Sequence, residues 1–381
     1  VDKKQRKQLG IILSFDKSWT GGILYICNIV KSLNSLEDSD KPFITLFYTP
    51  ENSVFLADIK YEYLRTVEIN IGNRLLLYIK SILFRKNYFI PKETATYQLD
   101  GLFPVMDFPI AKKHPSLKLV AWFPDFQHRV YPQNFTLANR ILRELRLRWM
   151  SKRADMLVLS SQDAFNHLGL FYREQVKIPV TVLPFVSNVN GLARHPATVA
   201  PNKFGITQPY FIVCNQFYTH KNHVVVFKAL EQLKSTGVNG FQIVCTGRME
   251  DYRNPSYIDD LKKFIESHQL NGSLQLVGYL ERAEQLSLVK QSLAMIQPSK
   301  FEGWNTSIED AKAMGVQVIA SDIPVHKEQL GENGYYFNPD DVQTLAHIIK
   351  GIKEASIVPK QAFVNYDQLT KKFASDFISL W

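Results

Sequence analysis

Short apolar runs alternate with segments of helical spacing along this chain, and they do so in two successive series. Lys7–Phe15 (KQLGIILSF) reads as a buried strand, Thr20-Gly21-Gly22 as a loop, and Ile23–Leu36 as a helix. Phe43–Tyr48, Tyr97–Phe103, Leu119–Trp122, Met156–Ser160 and Val180–Leu183 are the other strand candidates of the first series. The second has strands at Tyr210–Cys214, Phe241–Cys245, Leu274–Gly278, Ala294–Gln297 and Gln317–Ala320. Helices over His223–Leu233, Tyr257–His268, Arg282–Ser292 and Thr306–Met314 separate them, and Tyr366–Leu380 reads as a last helix. Strands that are continuous apolar runs between helices imply α/β architecture, with parallel sheets covered on both faces.

Asn188–Lys203 is rich in Pro, Ala, Asn and Gly without periodicity, which marks a linker. The expected organisation is a Rossmann-like domain over 1–187, a linker over 188–204, a second Rossmann-like domain over 205–360, and a C-terminal helix over 361–381 packing back toward the first. Open parallel sheets bind ligands beyond their strand carboxyl ends, so a cleft between two such domains is the natural ligand site.

The 381 residues suffice for two domains of ordinary size. Three cysteines, Cys27, Cys214 and Cys245, are scattered; Cys214 and Cys245 sit inside apolar runs and read as buried reduced thiols, which fits a reducing compartment. No apolar run is long enough to span a bilayer, and VDKKQRKQ leads into a strand without a signal-peptide core. A cytoplasmic protein is expected, soluble or peripheral on the inner face of the membrane. The charge is uneven: residues 1–200 hold 27 Lys+Arg against 17 Asp+Glu, residues 201–381 hold 18 against 19. The basic first half therefore suits an anionic partner.

No GxGxxG follows the first strand, and no GxxxxGK[ST] occurs anywhere. Both absences weigh against a nicotinamide oxidoreductase and a P-loop NTPase. No HExxH and no Cys/His cluster has metal spacing, so no metal ligand and no resident cofactor is expected.

The chemistry concentrates in Gln297–Glu328, where a strand ends, a polar loop turns out and a helix begins. Thr306 and Glu309 have capping-box spacing, and Gly315 marks the helix end. Asn305, Thr306 and Ser307 would then offer backbone N–H groups to an anion such as a diphosphate. Glu302 and Asp310, with seven residues between them, are carboxylates able to grip neighbouring sugar hydroxyls. Glu309 reads as the capping partner, not a functional acid.

The phrase FEGWNTSIEDAKAMGVQVIASDIPVHKE resembles the retaining glycosyltransferases of family 4 (glycosyl transferases group 1), which have the GT-B fold. Their E-x7-E signature places its first acid on Glu302, a donor-sugar contact, and its second on Asp310, a ribose contact. NQFYTHKNH resembles the segment in which an Arg and a Lys clamp the diphosphate; Lys221 matches the Lys, but Gln216 stands at the Arg position. CTGRMEDYRNPSY, with Gly247 and Arg248, resembles the next strand and donor loop, and LQLVGYL puts Tyr279 and Leu280 at the nucleotide base. SWTGGILYICNIV resembles the family's first glycine-rich loop, with Gly21 and Gly22 near donor or acceptor. In AWFPDFQHRVYPQNF, Pro124 replaces the usual His; Asp125, then His128, are the candidates to face the reacting sugar.

The resemblance implies hexose transfer from a nucleotide-diphosphate sugar of unspecified base to a glycan or lipid-linked hydroxyl, with retention and without metal. Bacterial cell-surface polysaccharide synthesis is the expected setting. The acceptor would use the first domain. There Arg140–Arg153 and Leu75–Ile90 mix basic and apolar residues, fitting either an anionic membrane or core helices with solvated Arg faces. Nucleic acid is not expected as a partner, since no recognition module appears. Sugar-nucleotide epimerases and phosphorylases share the fold, and a non-catalytic sugar-nucleotide-binding protein stays open as an alternative.

Overall fold

A computed structural model describes residues 6–110, 116–189, 199–361 and 365–381. The chain divides into two compact units, Val1–Asn188 with Asp367–Trp381, and Val189–Tyr366. The expected 188–204 linker falls largely on residues 190–198, outside the described residues.

In the first unit the strands are β1 (Gln8–Leu13), β2 (Phe43–Tyr48), β3 (Leu64–Glu68), β4 (Gly101–Val105), β5 (Lys118–Phe123), β6 (Met156–Leu159) and β7 (Val180–Val182). Helices α1 (Thr20–Ser32), α2 (Arg74–Phe84), α3 (Gln127–Val130), α4 (Leu137–Arg153) and α5 (Gln162–Tyr172) lie between them. The sheet is parallel, in the order β3-β2-β1-β4-β5-β6-β7. Central β1 and β4 are buried almost throughout, as strands covered on both faces must be.

Three sequence readings need correction here. Thr20-Gly21-Gly22 is not a loop but the first turn of α1, and Gly22 lets the Trp19 ring fold onto that turn: a Cβ there would lie 2.7 Å from it. The fourth strand starts at Gly101 instead of Tyr97, because the Leu99 N–H donates to the Tyr97 carbonyl (3.0 Å) and keeps that stretch turned. The edge strand β3 (LRTVE) carries no apolar run and escapes an apolar-pattern reading.

The second unit holds β8 (Tyr210–Cys214), β9 (Gln242–Thr246), β10 (Leu274–Gly278), β11 (Ala294–Gln297), β12 (Val318–Ser321) and β13 (Gly334–Phe337). Its helices are α6 (His223–Ser235), α7 (Tyr257–Ser267), α8 (Arg282–Gln291), α9 (Thr306–Met314), α10 (Pro324–Leu330) and α11 (Val342–Lys353). The parallel order is β10-β9-β8-β11-β12-β13, so the winding reverses between β8 and β11. One apolar cluster joins Phe211, Phe227 and Ile349; another joins Ile212, Ile308 and Leu330. Residues alternate between the clusters along β8, as two-sided burial requires.

The last helix, α12 (Tyr366–Ser379), has its ring contacts in the first unit. Phe373 meets Tyr25 (6.1 Å between ring centroids) and Phe377 meets Phe103 (5.8 Å). Trp381 lies on Gly101, where a Cβ would sit 2.0 Å from the indole, so only glycine admits that ring. Cys27, Cys214 and Cys245 are buried free thiols. No helix among the described residues is long and apolar enough to cross a membrane.

Candidate active site

The reversal between β8 and β11 is where a doubly wound sheet opens a crevice at its carboxyl edge. Lys221 follows β8 and Glu302 follows β11, so the two meet there from positions 81 residues apart. Lys221 Nζ donates to both Glu302 oxygens, at 2.7 and 2.8 Å. Asn305 Nδ2 donates to Glu302 Oε1 at 3.0 Å. The pair is mostly buried, with 16% of the lysine and 8% of the glutamate side chain exposed.

Backbone geometry fixes this cluster. Asn222, next to Lys221, adopts a left-handed conformation (φ 58°) that Asn tolerates better than most residues. Its side-chain amide donates to the carbonyls of Pro298 (3.1 Å) and Pro339 (2.8 Å), tying the lysine loop to the glutamate loop. Gly247, after β9, has φ +140°, and a Cβ there would lie 2.0 Å from the Asn215 carbonyl oxygen. This close approach aligns the Gln216 and Arg248 loops, and Phe217 N–H donates to the Arg248 carbonyl (3.1 Å). Arg248 lies over the Tyr279 ring at 5.5 Å, Tyr279 is exposed, and Leu280 packs partly buried against the core.

The start of α9 differs from the sequence reading. Asn305, not Thr306, is the N-cap, its Oδ1 accepting the Ile308 N–H at 2.9 Å. The Asn305 N–H is not available to a ligand either, because it donates to Gln329 Oε1 (3.1 Å) while Gln329 Nε2 donates to the Asn305 carbonyl (3.0 Å). Of the three amides, those of Thr306 and Ser307 in the first turn are the ones an anion could use. The Ser307 hydroxyl donates to the Cys214 carbonyl at 2.8 Å.

Glu309 closes no capping box. It is buried and accepts from Lys312 Nζ, Gln329 Nε2 and Tyr366 Oη, each at 2.9 Å. The Thr-x-x-Glu spacing misleads because Asn305 already satisfies the N-terminal donor. Asp310 is buried too, and its two oxygens accept from the two terminal nitrogens of Arg282. A ribose hydroxyl would have to share this carboxylate with the guanidinium.

In the first unit, Gly22 lies against Trp19, which stacks on Trp122 of β5 (5.2 Å). The Gly21–Gly22 turn is thus joined through the two indoles to the end of β5, which leads into Asp125. Asp125 is partly exposed, accepts from Arg143 (2.8 Å) and the Gln127 N–H (3.0 Å), and still has surface for a ligand.

His128 is not placed to face a sugar. It is fully buried, its Nδ1 accepts from Arg143 Nε (3.2 Å), and its Nε2 lies 3.3 Å from both Tyr172 Oη and Glu144 Oε1. The pattern fits a neutral ring protonated on Nε2. Burial, then the Arg143 charge, lowers its pKa to about 4. Because the folded value lies below the ordinary 6.5, the ring's contribution to stability is complete above pH 6.5 and is lost as pH falls toward 4. Unfolding midpoints measured across that window should fall for the wild type and fall less for His128→Gln; equal slopes would contradict this reading.

Among the described residues no group of three or more His, Cys, Asp or Glu side chains could hold a metal ion. Gln329, Arg282 and Asn222 shape the site without having been singled out in the sequence. Only Asn222 leaves a trace there, as an Asn directly before a helix.

Comparison with known proteins adds what this chain is similar to. Residues 197–366 match the family described as glycosyl transferases group 1. An O-antigen chain mannosyltransferase of Salmonella typhimurium is 29% identical over 145 residues, 38% of this chain and 38% of that protein. O-antigen chain mannosyltransferase B of Escherichia coli is 27% identical over 206 residues, 53% of this chain and 52% of that one. The aligned stretches thus span about half or less of these relatives. Sucrose-phosphate synthase from Thermosynechococcus elongatus superposes with a TM-score of 0.69 at 15% identity, covering 98% of this chain and 97% of that one. The second unit therefore resembles the glycosyl transferases group 1 family over the matched residues, and the chain has the GT-B fold.

Proposed function

We propose that this chain is a retaining, metal-independent glycosyltransferase of family 4. It moves a hexose, mannose in the first instance, from a nucleotide-diphosphate sugar to a hydroxyl of a glycan or lipid-linked acceptor in bacterial surface polysaccharide synthesis. The observation that carries this reading is the Lys221–Glu302–Asn305 cluster at the winding reversal of the unit that matches the family. Mannose is suggested by the two O-antigen mannosyltransferases it resembles; retention and metal independence rest on the resemblance alone.

The leaving diphosphate gathers charge as the anomeric bond breaks. Lys221 and the Thr306 and Ser307 amides would stabilise it, which is electrostatic catalysis. When the diphosphate engages Lys221, Glu302 is released to accept hydroxyls of the donor sugar. Gln216 brings no charge, and Arg248, alongside it across the Gly247 contact, would supply the second cation. Asp310 would accept a ribose hydroxyl beside Arg282, with Tyr279 and Leu280 near the base. Gly21, Gly22 and Asp125 belong to the acceptor side or the reacting sugar.

The uncharged Gln216 at the clamp position and Pro124 in place of the usual His favour one second reading, a protein that binds sugar nucleotides without transferring them. Thermal shift with GDP, UDP and dTDP, then mass spectrometry of reactions with the matching hexose donors and candidate acceptors, separates the two. Transfer predicts nucleotide diphosphate released only when acceptor is present. Release without acceptor indicates an epimerase-like or hydrolytic site, and nucleotide binding with no release supports the second reading.

A further inference from the structure

Helix α2 is built inside out. An amphipathic helix on a globular protein normally turns its apolar stripe to the core. Here Leu75, Leu76, Ile79, Ile82 and Leu83, at spacings of i, i+1, i+4, i+7 and i+8, form one stripe, and all are exposed, Leu75 at 68% and Leu83 at 71%. The polar side faces inward: Arg74 and Tyr78 both donate to buried Asp107, and the buried Ser81 hydroxyl accepts the Tyr88 N–H (3.1 Å). Phe84 extends the exposed apolar surface at the helix end.

Helix α4 adjoins it. Arg146 reaches the same Asp107 (2.8 Å), and Trp149 lies 5.9 Å from Tyr78. On its outer side Leu137, Ile141, Leu142 and Leu145 are exposed, followed along the helix by exposed Arg148 and Lys152. No Asp or Glu occurs between Glu68 and Glu93, whereas Lys80, Arg85 and Lys86 are all exposed. The surface is therefore greasy and cationic together.

We infer that the outer faces of α2 and α4 dock on the surface of an anionic lipid bilayer, with the apolar stripe among the acyl boundaries and the cations at the headgroups. Charge decides the occupant. A second copy would bring the same cations against themselves, and a nucleic acid would leave the leucine and isoleucine stripe without a partner. The helices lie on the membrane and do not cross it, since neither is long and apolar enough. This inference stands apart from the reaction proposed above.

The test is co-sedimentation of the full chain with phosphatidylcholine vesicles, with and without about a third phosphatidylglycerol. The wild type should bind the anionic vesicles and prefer them strongly. Neutralising Lys80, Arg85 and Lys86 to Gln should weaken binding about a hundred-fold, at about five-fold for each charge. Serine at Leu75, Ile79 and Leu83 should remove binding, at least about ten-fold for each side chain, with an unchanged melting temperature because these side chains are exposed. The inference is overturned by wild type that ignores anionic vesicles or binds neutral ones equally. It is also overturned if the serine variant keeps its binding, or if that variant only turns a dimer into a monomer while the wild type binds no vesicle.

Discussion

Lys221→Ala should lower donor turnover about a hundred- to a thousand-fold, the scale on which loss of one preorganised charge-stabilising donor is felt. The same change strands Glu302 in a largely buried setting, which costs about 2–3 kcal/mol of stability, toward the low end for a broken buried pair because Lys221 keeps 16% of its side chain exposed. Glu302→Ala strands the lysine instead and should cost a similar amount. The double variant removes both charges, so its stability should recover much of what either single change loses while turnover stays low. A double-mutant cycle read by denaturant unfolding and by nucleotide release checks both halves. Full turnover in Lys221→Ala would move the catalytic charge elsewhere, and additive stability losses would deny the pair its coupling.

The second large effect is steric. Gly247→Ala places a Cβ 2.0 Å from the Asn215 carbonyl oxygen, in a conformation (φ +140°) that side chains avoid. The neighbour is backbone at the end of β8, so relief requires moving the strand end that leads into Gln216 and Lys221. We expect a loss of several kcal/mol, about 10 °C or more in the melting temperature of the second unit, together with loss of nucleotide binding. Gly272→Ala is the control. Its φ is also positive (+82°) but nothing lies within 4 Å, so only the left-handed cost of about 1 kcal/mol applies. Equal shifts for the two variants would show that the contact at Asn215 does not constrain this loop.

The central strands of both sheets were legible because two-sided burial writes itself as unbroken apolar runs, as in YFIVC of β8. Of the edge strands, β7 and β10 were legible in the same way, but LRTVE of β3, which pairs through its backbone and needs no apolar face, and GYYF of β13 were not. Of the candidate site, Glu302 and Lys221 could be chosen from motif wording, yet their pairing joins residues 81 apart and has no local signature. Glu309 misled for a physical reason. The Asn305–Thr306 dipeptide offers two N-cap candidates, and the spacing rule cannot tell which side chain reaches the Ile308 N–H. His128 misled because its exposure depends on Tyr172 and Glu144 folding over it, which no neighbour in the sequence announces.

Gln329 holds the N–H and the carbonyl of Asn305 as an adjacent strand would, and so continues the sheet's hydrogen bonding past the end of β11. The turn into α9 thereby loses its conformational freedom when the chain folds, before any ligand arrives. A ligand that used this turn would have little chain left to order there, so its affinity would carry less of the ordering cost that loop-built sites pay.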